Sequence, residues 1–197
     1  MVLLVLGLLI FFSIHLLPMQ TDIRAGLVQR FGSNAYMIGF SLISVIGMVV
    51  IILGYGKLQV LAGKNPELWS PPMWTRSLAL LMMLPAMILL VAAYVPSRIR
   101  MAAKHPMLLA VKLWALAHLL ANGDLASVLL FGSFLAFAVI DRISMKRRHA
   151  PGPLGNQAGG IIGDAVAVLG GVVLYVVMVV FLHERLIGVA LVPGLAG

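Results

Sequence analysis

The stretch MVLLVLGLLIFFSIHLLP, from Met1 to Pro18, holds no charged side chain, and the first charge in the chain is Asp22. A helix needs about 20 predominantly apolar residues to cross the hydrocarbon core of a bilayer, and this run has that length. It has neither a basic leader nor a clear small-residue cleavage site. It therefore reads as an uncleaved first helix over 1–18 that keeps His15 within the membrane.

The same reading extends outward along the chain. The charge-free run between Arg30 and Lys57 predicts a second helix over 35–55, with Ser41, Ser44 and Gly47 giving it a small-residue surface for close packing. A third is expected over 77–96, where Pro85 is tolerated because neighbouring helices re-satisfy the freed carbonyl. From Pro106 to Asp141 the chain is apolar apart from Lys112 and Asp124, and the turn signal Asn122-Gly123-Asp124 divides it into helices over 106–121 and 125–140. A sixth covers 161–182. The tail from Leu186 to Gly197 is too short to cross and contains Pro193, which predicts a re-entrant or interfacial segment. The expected architecture is all-α, a polytopic transmembrane bundle of about six spans forming one domain over 1–197.

Composition agrees. Of 197 residues 62% are hydrophobic and 10% charged, with a mean hydropathy of +1.09, so a fold bathed in water would leave a large apolar surface uncovered. Lipid bilayer is the expected environment. The absence of cysteine removes disulfides, thiolate metal sites and a thiol nucleophile. The formal charge of +8 sits in short loops between apolar runs with no basic fold motif, so no nucleic-acid partner is expected. Its distribution sets orientation instead. Arg24, Arg30, Arg98, Arg100, Lys104, Arg142, Lys146, Arg147 and Arg148 fall on one side of a six-span bundle, and Lys57, Lys64, Arg76 and Arg185 on the other. The richer side should be cytoplasmic, leaving both termini external.

His15 and His118 lie inside apolar segments, whereas His149 and His183 are expected at loops. An ionisable group at that depth usually faces the bundle interior and marks a proton path, a metal or a cofactor, and neutral imidazole is a good axial ligand for haem iron. The plainer alternative, a hydrogen bond across helices, stays open. A rise of 1.5 Å per residue puts His15 roughly 21 Å below the outer face and His118 roughly 18 Å above the inner one, levels that differ by roughly 9 Å in a core about 30 Å thick. Helical spacing places Val111, Trp114, Ala115 and Asn122 on the face of His118. Asn122 is then either an orienting partner for the ring or part of a turn with Asp124 solvated.

Arg98, Arg100, Lys104 and His105 cluster before Pro106, which suits a helix start. Such a group fits an anionic headgroup, a phosphate or a haem propionate, or serves as a topology signal alone. Asp164 is a counter-charge for Lys112 or an arginine, and the sequence leaves that choice open.

Ser13-Ile14-His15-Leu16, Val95-Pro96-Ser97-Arg98, His105-Pro106 and the run from Trp114 to Asp124 (WALAHLLANGD) together resemble the NnrU family of membrane proteins, as far as about Arg148. That resemblance implies a bacterial inner-membrane protein linked to denitrification, notably nitrite and nitric oxide reduction. The same domain is similar to the plant zeta-carotene isomerase, a haem b enzyme with two histidine ligands. The likeness implies haem b held by His15 and His118, with Asn122, His105, Arg98 and Lys104 around the cofactor, and redox or isomerase-type chemistry on a small lipophilic substrate. Two departures stand out. Lys104 replaces an arginine of the shared Arg-His-Pro pattern, and Ala115 stands where the isomerase has a cysteine, so redox exchange of a ligand through that thiol is impossible here. A His-Pro helix followed by an Asn-containing turn also resembles membrane methyltransferases that use S-adenosylmethionine, although the glutamate-rich helix of those enzymes is missing. A third class is a non-enzymatic factor that assembles or supplies a respiratory reductase.

Overall fold

The computed structural model describes residues 1–61, 63–150, 152, 154–155, 157–188 and 191. Among them the chain is helical and forms no strand. In order it runs α1 (Val2–Leu16), a 3-10 turn (Leu17–Met19), α2 (Thr21–Phe31), α3 (Ser33–Val60), α4 (Met73–Ala92), α5 (Arg98–Ala103), α6 (Pro106–Ala121), α7 (Leu125–Arg147), α8 (Ile161–Val177), a π segment (Met178–Leu182) and α9 (His183–Ile187). Among the described residues five segments are long and apolar enough to cross a membrane, namely Val2–Met19, Ser33–Val60, Met73–Ala92, Leu125–Arg147 and Ile161–Ile187. Pro106–Ala121 is a shorter apolar helix. Six helices thus stand where the hydropathy pattern places them, and the protein is an all-α integral membrane protein of several passes.

Their ends differ from the expected ones for local reasons. The third membrane helix starts at Met73 and stops at Ala92, not 77–96, because Pro96 disfavours helical backbone in the residue before it and Ser97 opens α5 by accepting a hydrogen bond from Arg100 N at 3.1 Å. α3 and α7 overrun their expected ends. In α7 the final turn carries Lys146 and Arg147, cations that suit a helix C-terminus, so the helix continues into its basic segment. α2 occupies the stretch around Arg24 and Arg30 that reads in the sequence as a connecting loop. The tail expected to be re-entrant lies, beyond Gly188 and apart from residue 191, outside the described residues.

The chain divides into two compact units, residues 1–69 with 123–133, and residues 70–122 with 134–197. In the first, α1 and α3 pack antiparallel at backbone distance, Leu4 against Gly54, Gly7 against Ile51 and Phe11 against Gly47. A Cβ on Gly54 would lie 2.5 Å from Leu4 N, so these glycines admit the contact that small residues provide between membrane helices. The opposite face of α3 exposes Ile38, Leu42, Val45, Ile46, Val49 and Leu53, a lipid-facing surface.

The start of α7 is anchored in the same unit by a polar network. Asp124 accepts from Ser127 N (2.9 Å), Ser127 Oγ (2.6 Å) and Asn65 Nδ2 (2.7 Å). Because the Ser127 hydroxyl hydrogen goes to Asp124, Tyr55 donates its own to Ser127 Oγ at 2.9 Å. Asp124 is therefore the cap of α7 and not a solvated turn residue. Desolvation acts to raise its pKa, but the bonds from Ser127 and Asn65 outweigh this and hold the carboxyl below its ordinary value. Asp124→Ala should cost about 0.5–2 kcal/mol, the usual loss of an N-cap. Since the folded pKa is the lower one, the stabilisation is complete above the unfolded value of about 3.9 and fades as pH falls through the folded value. Thermal melts of wild type and variant at pH 7 and pH 3 should show the gap closing at the acid end.

In the second unit α8 approaches α4 as closely at Gly171 against Ile88, and its Gly163 meets the Pro96 carbonyl beyond the end of α4. α4 also packs on α6. Trp114 meets Phe134 edge to face, ring centroids 5.4 Å apart.

Candidate functional site

His15 belongs to the first unit and His118 to the second, and each ring is prepared in the same way by its own helix. His15 Nδ1 lies 2.8 Å from Phe11 O, and His118 Nδ1 lies 2.8 Å from Trp114 O. A carbonyl oxygen only accepts, so in both neutral rings the proton is on Nδ1 and the lone pair on Nε2. This is the tautomer of a metal-ligating imidazole whose other nitrogen donates to a backbone carbonyl. Around His15 the Phe11 ring stacks at 3.9 Å between centroids and Phe40 lies at 5.2 Å, which confines the imidazole laterally. Around His118 the Trp114 ring sits at 5.3 Å. Each ring, taken by itself, thus has the donor chemistry of an axial haem ligand.

Of the two roles open to Asn122, orienting the ring or shaping the turn, the side chain's hydrogen bond goes to backbone. Its Nδ2 donates to the backbone carbonyl of His118 at 2.9 Å, closing the last turn of α6, while the ring nitrogen is oriented by Trp114 O. His183 is not in a loop. It begins α9, directly after the π segment, and its ring lies nearly parallel to that of His118, 6.5 Å between centroids and 24° between planes. Periodicity from one helix carries no information about which side chain of another helix arrives beside it, and His183 had no signal beyond its residue type. Ala115 is fully buried in α6, so the position that holds a thiol in the plant isomerase is packed core here.

The basic cluster before α6 separates into two arrangements. Arg98, mostly exposed, donates from Nε to Asp164 at 2.6 Å, and Asp164 Oδ1 also accepts from Ile99 N at 3.1 Å. This identifies the acid's partner as Arg98 and ties the first turn of α8 to α5. Arg100 is buried instead. Its Nη1 donates to Gly155 O at 3.0 Å and its Nη2 to Gln157 O. It lines a cavity of about 320 Å³ together with Lys104 and His105. Burial, reinforced by the Arg142 guanidinium and opposed by Asp141, pushes the His105 imidazole below its ordinary pKa. Near neutral pH the fixed charge of this cavity is therefore that of Arg100 and Lys104. Of the four residues expected around an anion, Arg100, Lys104 and His105 line the cavity, and Arg98 is paired with Asp164 instead.

No curated protein and no solved structure matches the chain. The family model described as NnrU protein matches residues 3–191, which include the helix of His15, the basic cluster, the helix of His118 and the membrane segment that carries His183. A match over nearly the whole length, on a chain whose membrane helices stand as described, assigns it: the protein belongs to the NnrU family.

Proposed function

We propose that this NnrU-family membrane protein binds haem b, with His15 and His118 as axial ligands, and acts in redox chemistry linked to nitrite and nitric oxide reduction or in isomerase-type chemistry on a lipophilic partner. The observation that carries the proposal is the repeated Nδ1–H···O=C bond within α1 and α6, which directs a lone pair onto Nε2 of two intramembrane imidazoles. Haem b would supply a one-electron centre. The chain's part is to hold each ring in one tautomer, to confine it with Phe11, Phe40 and Trp114, and to surround it with apolar helix and lipid. Family membership supports the denitrification context, and the buried alanine at 115 weighs against any step that needs a thiol ligand. An optical spectrum of detergent-purified protein from haem-replete cells tests the reading. Split visible bands on reduction are expected, and colourless protein would reject it in favour of an adenosylmethionine-dependent or an assembly role.

The proposal includes an orientation, with the nine-cation side cytoplasmic in the bacterial inner membrane. Reporter fusions at Ser33 and Gly152 should read cytoplasmic and one at Pro66 external. An external signal at Gly152 would invert the assignment.

A further inference from the structure

The cavity beside α5 offers a positive charge that the axial ligation by His15 and His118 does not use. Arg100 is only 6% exposed and donates to main-chain carbonyls, which carry partial and not full negative charge. Its Nε, also buried, has no hydrogen-bond partner among the described residues. Burial of a cation is costly unless a counter-charge or further acceptors compensate, and two of the five guanidinium N–H groups go to Gly155 and Gln157. The next wall is built at some expense. Lys104 has φ +61 and ψ −47, and His105 N donates across it to Ala103 O at 2.7 Å, a γ-turn of the rare positive-φ kind. Glycine would adopt that backbone without strain, yet a lysine stands there, an exposed residue that lines the same cavity as Arg100 and His105. At about 320 Å³ the space far exceeds the roughly 30 Å³ share of one water, and Met101 gives it an apolar flank.

We propose that this cavity, lined by Arg100, Lys104 and His105, is a binding site for a phosphate-bearing anion, either a phospholipid headgroup or a free phosphate. Two permanent cations with an adjoining imidazole suit the several acceptor oxygens of a phosphate, and such contacts are the strong, charge-assisted kind. The position, in the basic connection between α4 and α6, fits a headgroup at the bilayer surface as well as a solute. The site does not depend on haem.

Calorimetric titration of the full-length protein in phosphate-free maltoside micelles tests the site and its source. The probes are inorganic phosphate, short-chain phosphatidylglycerol, and the matching diacylglycerol that lacks phosphate. Saturable binding of inorganic phosphate assigns a free anion, and saturable binding of phosphatidylglycerol without inorganic phosphate assigns a headgroup. In either case Lys104→Gly should weaken binding about 10-fold to 100-fold, the effect of one lost charge-assisted hydrogen bond. The same substitution relieves the positive-φ strain, so its melting temperature should equal or exceed that of wild type, which separates lost charge from lost fold. No saturable binding of either phosphate-bearing probe, equal binding of diacylglycerol, or unchanged affinity in Lys104→Gly would overturn the proposal.

Discussion

Replacing His118 by alanine is expected to abolish the low-spin visible spectrum of the purified protein, and His15→Ala should do the same or leave a high-spin remnant. Two strong-field imidazoles give the sharp split bands of a low-spin haem, and removing either leaves the iron five-coordinate or unbound. Trp114 O and Phe11 O hold the two rings in the required tautomer through backbone that neither substitution alters, so the bundle should survive both. His149→Ala is the control, because His149 lies beyond the end of α7 and should leave the bands unchanged. His183→Ala should keep the haem but shift its bands, since that ring lies beside His118 and shapes its surroundings. Asn122→Ala should have little spectral effect, as its amide bonds the His118 carbonyl and not the ring. An unchanged spectrum in either ligand variant would reject that ligand.

A second large effect is expected from one methyl group placed at two positions two residues apart. Gly54→Ala would set a Cβ 2.5 Å from Leu4 N and 2.7 Å from Leu4 Cα, contacts that only a shift of α1 against α3 can relieve. Overpacking of this kind costs about 1–3 kcal/mol and outweighs the roughly 0.5–1 kcal/mol that alanine gains over glycine in a helix. At Gly56, among the described residues, nothing beyond its own stretch of helix lies within 4 Å of the added carbon, so only the gain remains. Thermal unfolding in detergent should therefore show Gly54→Ala destabilised and Gly56→Ala neutral or stabilised. Equal melting temperatures would mean that α1 and α3 do not meet at Leu4 and Gly54.

What the sequence alone determined was the part governed by the solvent. Runs of uncharged residues as long as a bilayer is thick must be helices, because lipid offers backbone groups no other partner, and this holds whatever the neighbours are. The positions of α1, α3, α6 and α8 follow from that constraint, as does the depth of His15 and His118. The resemblance carried by the run from Trp114 to Asp124 pointed to the family that the match over residues 3–191 shows. Tertiary structure decided what depends on which helix stands beside which. Gly54 and Gly56 are the same residue type in the same helix, and only the approach of Leu4 separates them. Arg98 and Arg100 are equally basic in sequence, yet Asp164 on α8 claims the first while the carbonyls of Gly155 and Gln157 draw the second into the protein. His183 reads as a loop residue until α9 brings it against His118. Pair choices of this kind are made by packing and short-range hydrogen bonds between segments distant in sequence, and hydropathy, a property of one segment and its solvent, does not encode them.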